Sequence, residues 1–110
     1  MRFDKSVRLL KSSDYDYVFQ QPIKINQPNA TLYARANNLK HARLGLLVSK
    51  RALRHAVERN RVKRLVRESF RAHLERLKDY DIVFVARSGL LHADNASITL
   101  SLEKLWEKIR

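Results

Sequence analysis

The sequence predicts an α+β fold in the order α-β-β-β-α-β-α, a sandwich in which one mixed sheet is packed with helices. Three observations carry this expectation. Apolar residues recur at helical spacing near both ends of the chain and in its middle. Runs of strand length, alternating or β-branched, lie between those segments. Two such runs flank the long central helix, as a parallel βαβ crossover requires. A chain of 110 residues, 45% of them apolar, is about one domain with a modest core. No repeat or linker divides it, and residues 1–110 read as a single unit.

The first helix is expected over residues 12–21. Ser12 or Ser13 is its candidate N-cap, Asp14 sits in its first turn, and Tyr15, Val18 and Phe19 fall at i, i+3, i+4 before Pro22. A weak strand follows around Ile23–Ile25. A better one spans Ala30–Ala36, where alternation puts Thr31, Tyr33 and Arg35 on one face. Asn37–Asn38 with Lys40–His41 reads as a hairpin turn. The apolar run RLGLLVS, residues 43–49, is the expected central strand. The long helix runs from 56 to about 74. IVFVA, residues 82–86, is apolar on both faces and predicts a second buried strand. SGLLHADN reads as a loop with Asp94 or Asn95 as a cap. Ile98, Leu102, Leu105, Trp106 and Ile109 then recur at helical spacing, a C-terminal amphipathic helix with Trp106 in the core.

Composition removes several function classes. Gly and Pro number two each, which argues against a disordered chain. The absence of Cys excludes disulfide frameworks, thiolate zinc sites and thiol nucleophiles. No apolar run is long enough for a signal peptide or a membrane span, so a cytoplasmic protein with no membrane partner is expected. His41, His55, His73 and His92 lack ligand spacing, and no metal site is expected among them. Asp14/Asp16 and Asp79/Asp81 are paired carboxylates at a helix start and a turn, where capping accounts for them without catalysis.

Charge is the strongest global signal. Lys and Arg number 23 against 11 Asp and Glu, a net charge of +12. Between Lys50 and Arg71 nine bases face two acids, so more than half the surplus lies in one-fifth of the chain. Such a concentration self-repels unless a polyanion relieves it, and nucleic acid is the first expectation. On a helical projection, Val62, Leu65, Val66, Ser69, Phe70 and His73 share one arc. Nearly opposite lie Asn60, Arg64, Arg67 and Arg71, a row about 16 Å long at ~1.5 Å rise per residue. Arg61 and Lys63 flank it. A helix stabilised by i, i+4 ion pairs alternates its signs, and this one does not. Arg presents a planar fork that fits phosphate and base edges, and Asn60 offers a donor and an acceptor.

These residues carry a resemblance. VSKRALRHAVERNRVKRLVRESFR, residues 48–71, is similar to the signature region of the bacterial ribonuclease P protein subunit, with Arg59-Asn60-Arg61, Lys63-Arg64 and Arg67 as its core. SSDYDYVFQQP, RLGLLVSKR and DIVFVAR resemble the family's N-terminal helix and the strands before and after the motif. The resemblance covers nearly the whole chain. It implies a non-catalytic subunit of a ribonucleoprotein whose RNA hydrolyses precursor tRNA with Mg²⁺, removing the 5′ leader. It also implies a left-handed βαβ crossover, against the usual right-handed preference.

By the same resemblance, Lys50, Arg51, Arg59, Asn60, Arg61, Lys63, Arg64 and Arg67 correspond to RNA-contacting positions. Arg54 and Arg71 extend that patch. Tyr15, Phe19 and Arg87 correspond to a cleft for the single-stranded leader, and Tyr33 extends it. The implied partners are ribonuclease P RNA and precursor tRNA, with no obligate protein partner, and the Mg²⁺ belongs to the RNA. Many family members have a Gly-Asn turn before the basic helix; here ALRHAVE stands in its place. From spacing alone, Tyr15 and Phe19 fit core packing better than base stacking; the resemblance sets the two readings level. Three functions stay open at this level: the ribonuclease P subunit, an autonomous nuclease, and a stand-alone nucleic-acid binder, ribosomal-type or DNA-reading, using the same helix.

Overall fold

The computed structural model describes residues 7–109. A four-stranded sheet lies between helices: β1 (Ile23–Asn26), β2 (Ala30–Ala36), β3 (Arg43–Leu47) and β4 (Tyr80–Ala86). Their spatial order is β1-β2-β4-β3. β1 and β4 pair antiparallel with β2, while β3 pairs parallel with β4, so the sheet is mixed as expected. α1 (Ser12–Gln20) covers one face, and α2 (Ala56–Ala72) and α4 (Asn95–Glu107) cover the other. The segment β3-α2-β4 is a parallel crossover between adjacent strands.

Alternation along each strand sorts the two faces. Leu32, Ala34, Ile82, Phe84 and Leu44 point to α2 and α4, where they meet Val62, Leu65, Val66, Phe70, Leu102, Leu105 and Trp106. Burying each such side chain contributes ~1.5–3 kcal/mol. Trp106 is fully buried and its indole N–H donates to Ser69 Oγ at 2.8 Å, so the one polar atom on the helix's inner arc is satisfied. His73, at the end of that arc, is half-buried, with Nδ1 2.8 Å from the Ser69 carbonyl.

Four sequence expectations need correction. β3 is not central: β4 inserts between it and β2, and the tightly buried strands are β2 and β4. Asn37–His41 is therefore no hairpin turn. It bridges two strands that do not touch, passing over the start of β4, where the Asn37 N–H donates to the Asp79 carbonyl at 2.8 Å. The N-cap of α1 is Lys11, not Ser12 or Ser13; Asp14 at N3 reaches back to accept from the Lys11 N–H at 3.1 Å. The expected loop at 88–95 contains a 3₁₀ helix, Ser88–His92, whose Leu90 is buried. A short α3 (Leu74–Leu77) also follows the break at His73. Asp94 does cap α4, accepting from the Ser97 N–H at 2.8 Å.

Asp81 is another departure, since it lies within β4 and is fully buried rather than in a turn. Arg43 Nε and an Nη donate to its two oxygens at 2.9 and 2.6 Å, and Asn37 Nδ2 donates at 2.8 Å. Those bonds tie β3, β4 and the β2–β3 connection at one point. They also raise the Arg43 pKa, chiefly through the hydrogen bond to Asp81. A buried carboxylate is tolerated because its lone pairs are filled.

Candidate nucleic-acid interface

The loop from β3 to α2 is braced from within. Ser49 Oγ accepts from the Ala52 N–H at 3.1 Å, and the Ser49 carbonyl accepts from the Leu53 N–H at 3.0 Å. Leu53 is fully buried, which leaves Lys50, Arg51 and Arg54 exposed around it. Arg59 reaches back and donates to the Leu53 and Arg54 carbonyls at 3.0 and 2.9 Å. His55 caps α2 without a side-chain bond. The guanidinium of Arg59 thus holds ALRHAVE in shape.

The basic row does not present one uniform front. Arg61 turns toward α4, donating to Asn95 Oδ1 at 2.6 Å, to the Ala93 carbonyl at 3.3 Å and to Glu58 at 3.2 Å. Lys63 and Arg67 turn the other way, to the edge of β3, and line a pocket of 200 Å³ with Arg8, Tyr15 and Leu46. Between them Asn60 and Arg64 are exposed and face outward beside Val57. Arg71 is half-buried in the last turn, where a cation complements the negative helix end. The inner arc carries no slack: Val62, Val66 and Phe70 have no accessible surface. The outward cations are therefore held at fixed spacing by a packed helix rather than by a mobile arm.

The other face of the sheet gathers the aromatics. α1 crosses from β3 to β2, setting Tyr15 over Gly45 and Phe19 beside Tyr33. A Cβ on Gly45 would lie 2.6 Å from Tyr15 Cε1, so only glycine lets the ring sit this low. Burial pushes the Tyr15 hydroxyl pKa up, against a hydrogen bond at Leu46 that lowers it. Phe19 and Tyr33 meet edge to face at 4.9 Å, with Phe19 40% exposed. Lys24 stands 5.8 Å from the Tyr33 ring centre. Strand register places Thr31, Val85 and Leu47 on the same face beyond these rings. Arg87, exposed at the end of β4, donates to Thr31 Oγ1 at 3.1 Å. Tyr15, Phe19, Tyr33 and Arg87 thus all stand on the α1 side of the sheet.

Tyr15 is half-buried and Phe19 is 40% exposed, so each packs by one side and keeps part of its ring accessible. Sequence reasoning missed Arg35, which stacks 3.9 Å from the Tyr17 ring and donates to the Tyr17 carbonyl at 2.8 Å, locking α1 to β2. It also missed Arg8 and Lys11, which no helical or strand periodicity set apart. Among the described residues no group of three His, Asp or Glu side chains gathers as a metal site, and no helix is long and apolar enough to cross a membrane. Asp14 and Asp81 are both held by Arg43.

Comparison with known proteins gives consistent matches. A family model described as Ribonuclease P matches residues 3–110. The ribonuclease P protein component of Haemophilus influenzae (strain PittGG) is 49% identical over 108 residues, 98% of this chain and 91% of that protein. That of Pasteurella multocida (strain Pm70) is 45% identical over the same shares. The RNase P protein of Staphylococcus aureus superposes with a TM-score of 0.86 at 30% identity, covering 94% of each chain. The Thermotoga maritima protein superposes at 0.82 and 28% identity, covering 94% of this chain and 97% of that one.

Proposed function

The chain belongs to the ribonuclease P protein family, and from that premise we propose how its surface serves the holoenzyme that matures tRNA 5′ ends. It is the protein subunit of that ribonucleoprotein. α2 docks on the RNA subunit, with Asn60 and Arg64 as its outward contacts and Lys63, Arg67 and Arg71 along the flank. Lys50, Arg51 and Arg54 extend the contact along the braced loop. Arg59 and Arg61 serve twice, holding the loop and α4 while adding positive charge. The cleft of Tyr15, Phe19, Tyr33 and Arg87 takes the 5′ leader of precursor tRNA, stacking unpaired bases on rings that are only half covered. The protein binds and orients; the RNA partner breaks the bond.

The observation that carries this reading is the rigid presentation of cations on α2, opposite an inner arc in which Val62, Val66 and Phe70 have no accessible surface. A preorganised row loses little entropy on binding phosphate. The Mg²⁺ is assigned to the RNA; in this chain Asp14 and Asp81 are engaged by Arg43 and by backbone or amide donors. The same engagement disfavours an autonomous nuclease. A DNA reader of the helix-turn-helix type pairs its recognition helix with a second full helix, whereas α2 is preceded by β3 and followed only by the four-residue α3 before β4.

The deciding experiment incubates precursor tRNA and Mg²⁺ with the protein, with and without ribonuclease P RNA. Stimulation of the RNA at low Mg²⁺, with no cleavage by protein alone, is expected; the reverse pattern overturns the reading. Arg64→Ala should weaken RNA binding and lower the log–log salt slope by about one.

A further inference from the structure

Residues beside the outer edge of β3 form a surface that neither α2 nor the aromatic cleft accounts for. Arg8 pairs in parallel with Leu44, and the Leu9 N–H donates to the Leu44 carbonyl at 3.1 Å. Leu9 is buried with Val18 and Val83, so Arg8 and Leu10 on either side turn outward and are exposed. Those two residues line both of two adjoining pockets. One is the 200 Å³ pocket shared with Lys63, Arg67 and Tyr15. The other measures 380 Å³ and is completed by Lys11, Asp14, Leu39, His41 and Arg43.

Leu39 owes its place to an unusual backbone. Asn38 and Lys40, on either side of it, have φ of 57° and 65°. Left-handed residues other than glycine are strained and persist only where the surroundings hold them. Asn37 does the holding: its Oδ1 accepts from the Leu39 N–H at 2.9 Å, and its Nδ2 donates to the His41 carbonyl at 3.0 Å. The result is two leucines at one pocket, 57% and 45% exposed, under a rim of Arg8, Lys11 and His41. Asp14, the one acid lining it, is occupied by the Lys11 N–H and by Arg43.

An aliphatic slot rimmed by cations matches the two halves of a nucleotide, an apolar base face and a phosphate. We propose that this edge is a second nucleotide-binding site. One unpaired nucleotide of a bound RNA strand seats its base between Leu10 and Leu39 and its phosphates on Arg8 and Lys11. The strand then passes over Arg8 to Lys63 and Arg67, so the α1 side and α2 share one RNA path around β3. The assignment rests on the RNA-binding reading above.

The test titrates the full chain into a fluorescent single-stranded RNA of about 12 nucleotides, within the span such sites cover, at several salt concentrations. Arg8→Ala is expected to weaken binding about fivefold and reduce the salt slope by about 0.7. Leu39→Ser is expected to weaken binding without changing the slope, since it removes no charge. Both side chains are exposed, and an unchanged circular dichroism spectrum checks that both variants fold. Wild-type affinity in both, with Arg64→Ala still weakened, overturns the edge site and leaves the RNA reading standing. Loss in Arg8→Ala alone overturns the base slot. A wild-type chain that binds no RNA overturns the site and the reading together.

Discussion

The two faces of the sheet are built to different rules. Toward α2 and α4 the core is dry and continuous, with Phe70 and Trp106 edge to face at 6.1 Å. Toward α1, the buried apolar cluster among the described residues is small, Leu9, Val18 and Val83, and Tyr15, Tyr17, Tyr33 and Val85 around it keep part of their surface. The first face supplies stability and fixes the spacing of the cations behind it. The second gives up burial to leave rings and polar groups within reach of a ligand. A small RNA-binding domain can divide these tasks because a sheet has two independent sides.

Substitutions should separate the faces, beginning with the largest effect. Trp106→Ala empties the dry core and leaves Ser69 without its donor, so urea unfolding should show a loss of about 3–5 kcal/mol; a loss near zero would place the core elsewhere. Asp81→Ala should cost about 3 kcal/mol by the same measurement, because Arg43 and Asn37 lose their common acceptor. That makes Asp81 the exception on the α1 face, a residue there that chiefly holds the fold. Gly45→Ala drives a methyl into Tyr15 and should cost about 1 kcal/mol. In the reconstituted holoenzyme it should raise KM for precursor tRNA with a long leader while leaving a precursor with a one-nucleotide leader unaffected. Restoration of stability, but not of leader discrimination, in the Gly45→Ala/Tyr15→Ala double variant would identify the ring as the point of action.

The smallest effect concerns pH. The Ser97 backbone N–H holds the Asp94 carboxyl below its ordinary value of 3.8. A carboxylate favoured by folding stabilises above its unfolded pKa and loses that contribution as pH falls through the folded value. The first turn of α4 should therefore loosen only on acidification below about pH 4, seen as faster amide exchange near Ser97. Asp94→Asn should remove most of that dependence.

Periodicity was enough to locate the main elements. Val62, Leu65, Val66, Ser69 and Phe70 fell on the buried arc of α2 because a 3.6-residue repeat is a local property. Ala30–Ala36 and the C-terminal stripe were legible for the same reason. Strand order was not. RLGLLVS looks as apolar as a central strand, yet β4, far along the chain, takes the place beside β2; nothing in residues 43–49 records that insertion. The basic motif was likewise visible as charge, while the division of labour inside it was not. Arg59 and Arg61 meet their acceptors through a loop and through α4, and Arg8 becomes significant only because it stands beside Leu44.

By itself, then, the sequence determined the α+β class, the one-signed stripe along the basic helix and the polyanionic partner it demands, all properties of composition and local spacing. The tertiary structure alone decided which cations face outward, how deep Tyr15 sits over Gly45, and that residues 8–11 meet residues 39–43 at one edge. Those are distances between segments remote in sequence, set by packing and by the buried Arg43–Asp81 contact rather than by any local pattern.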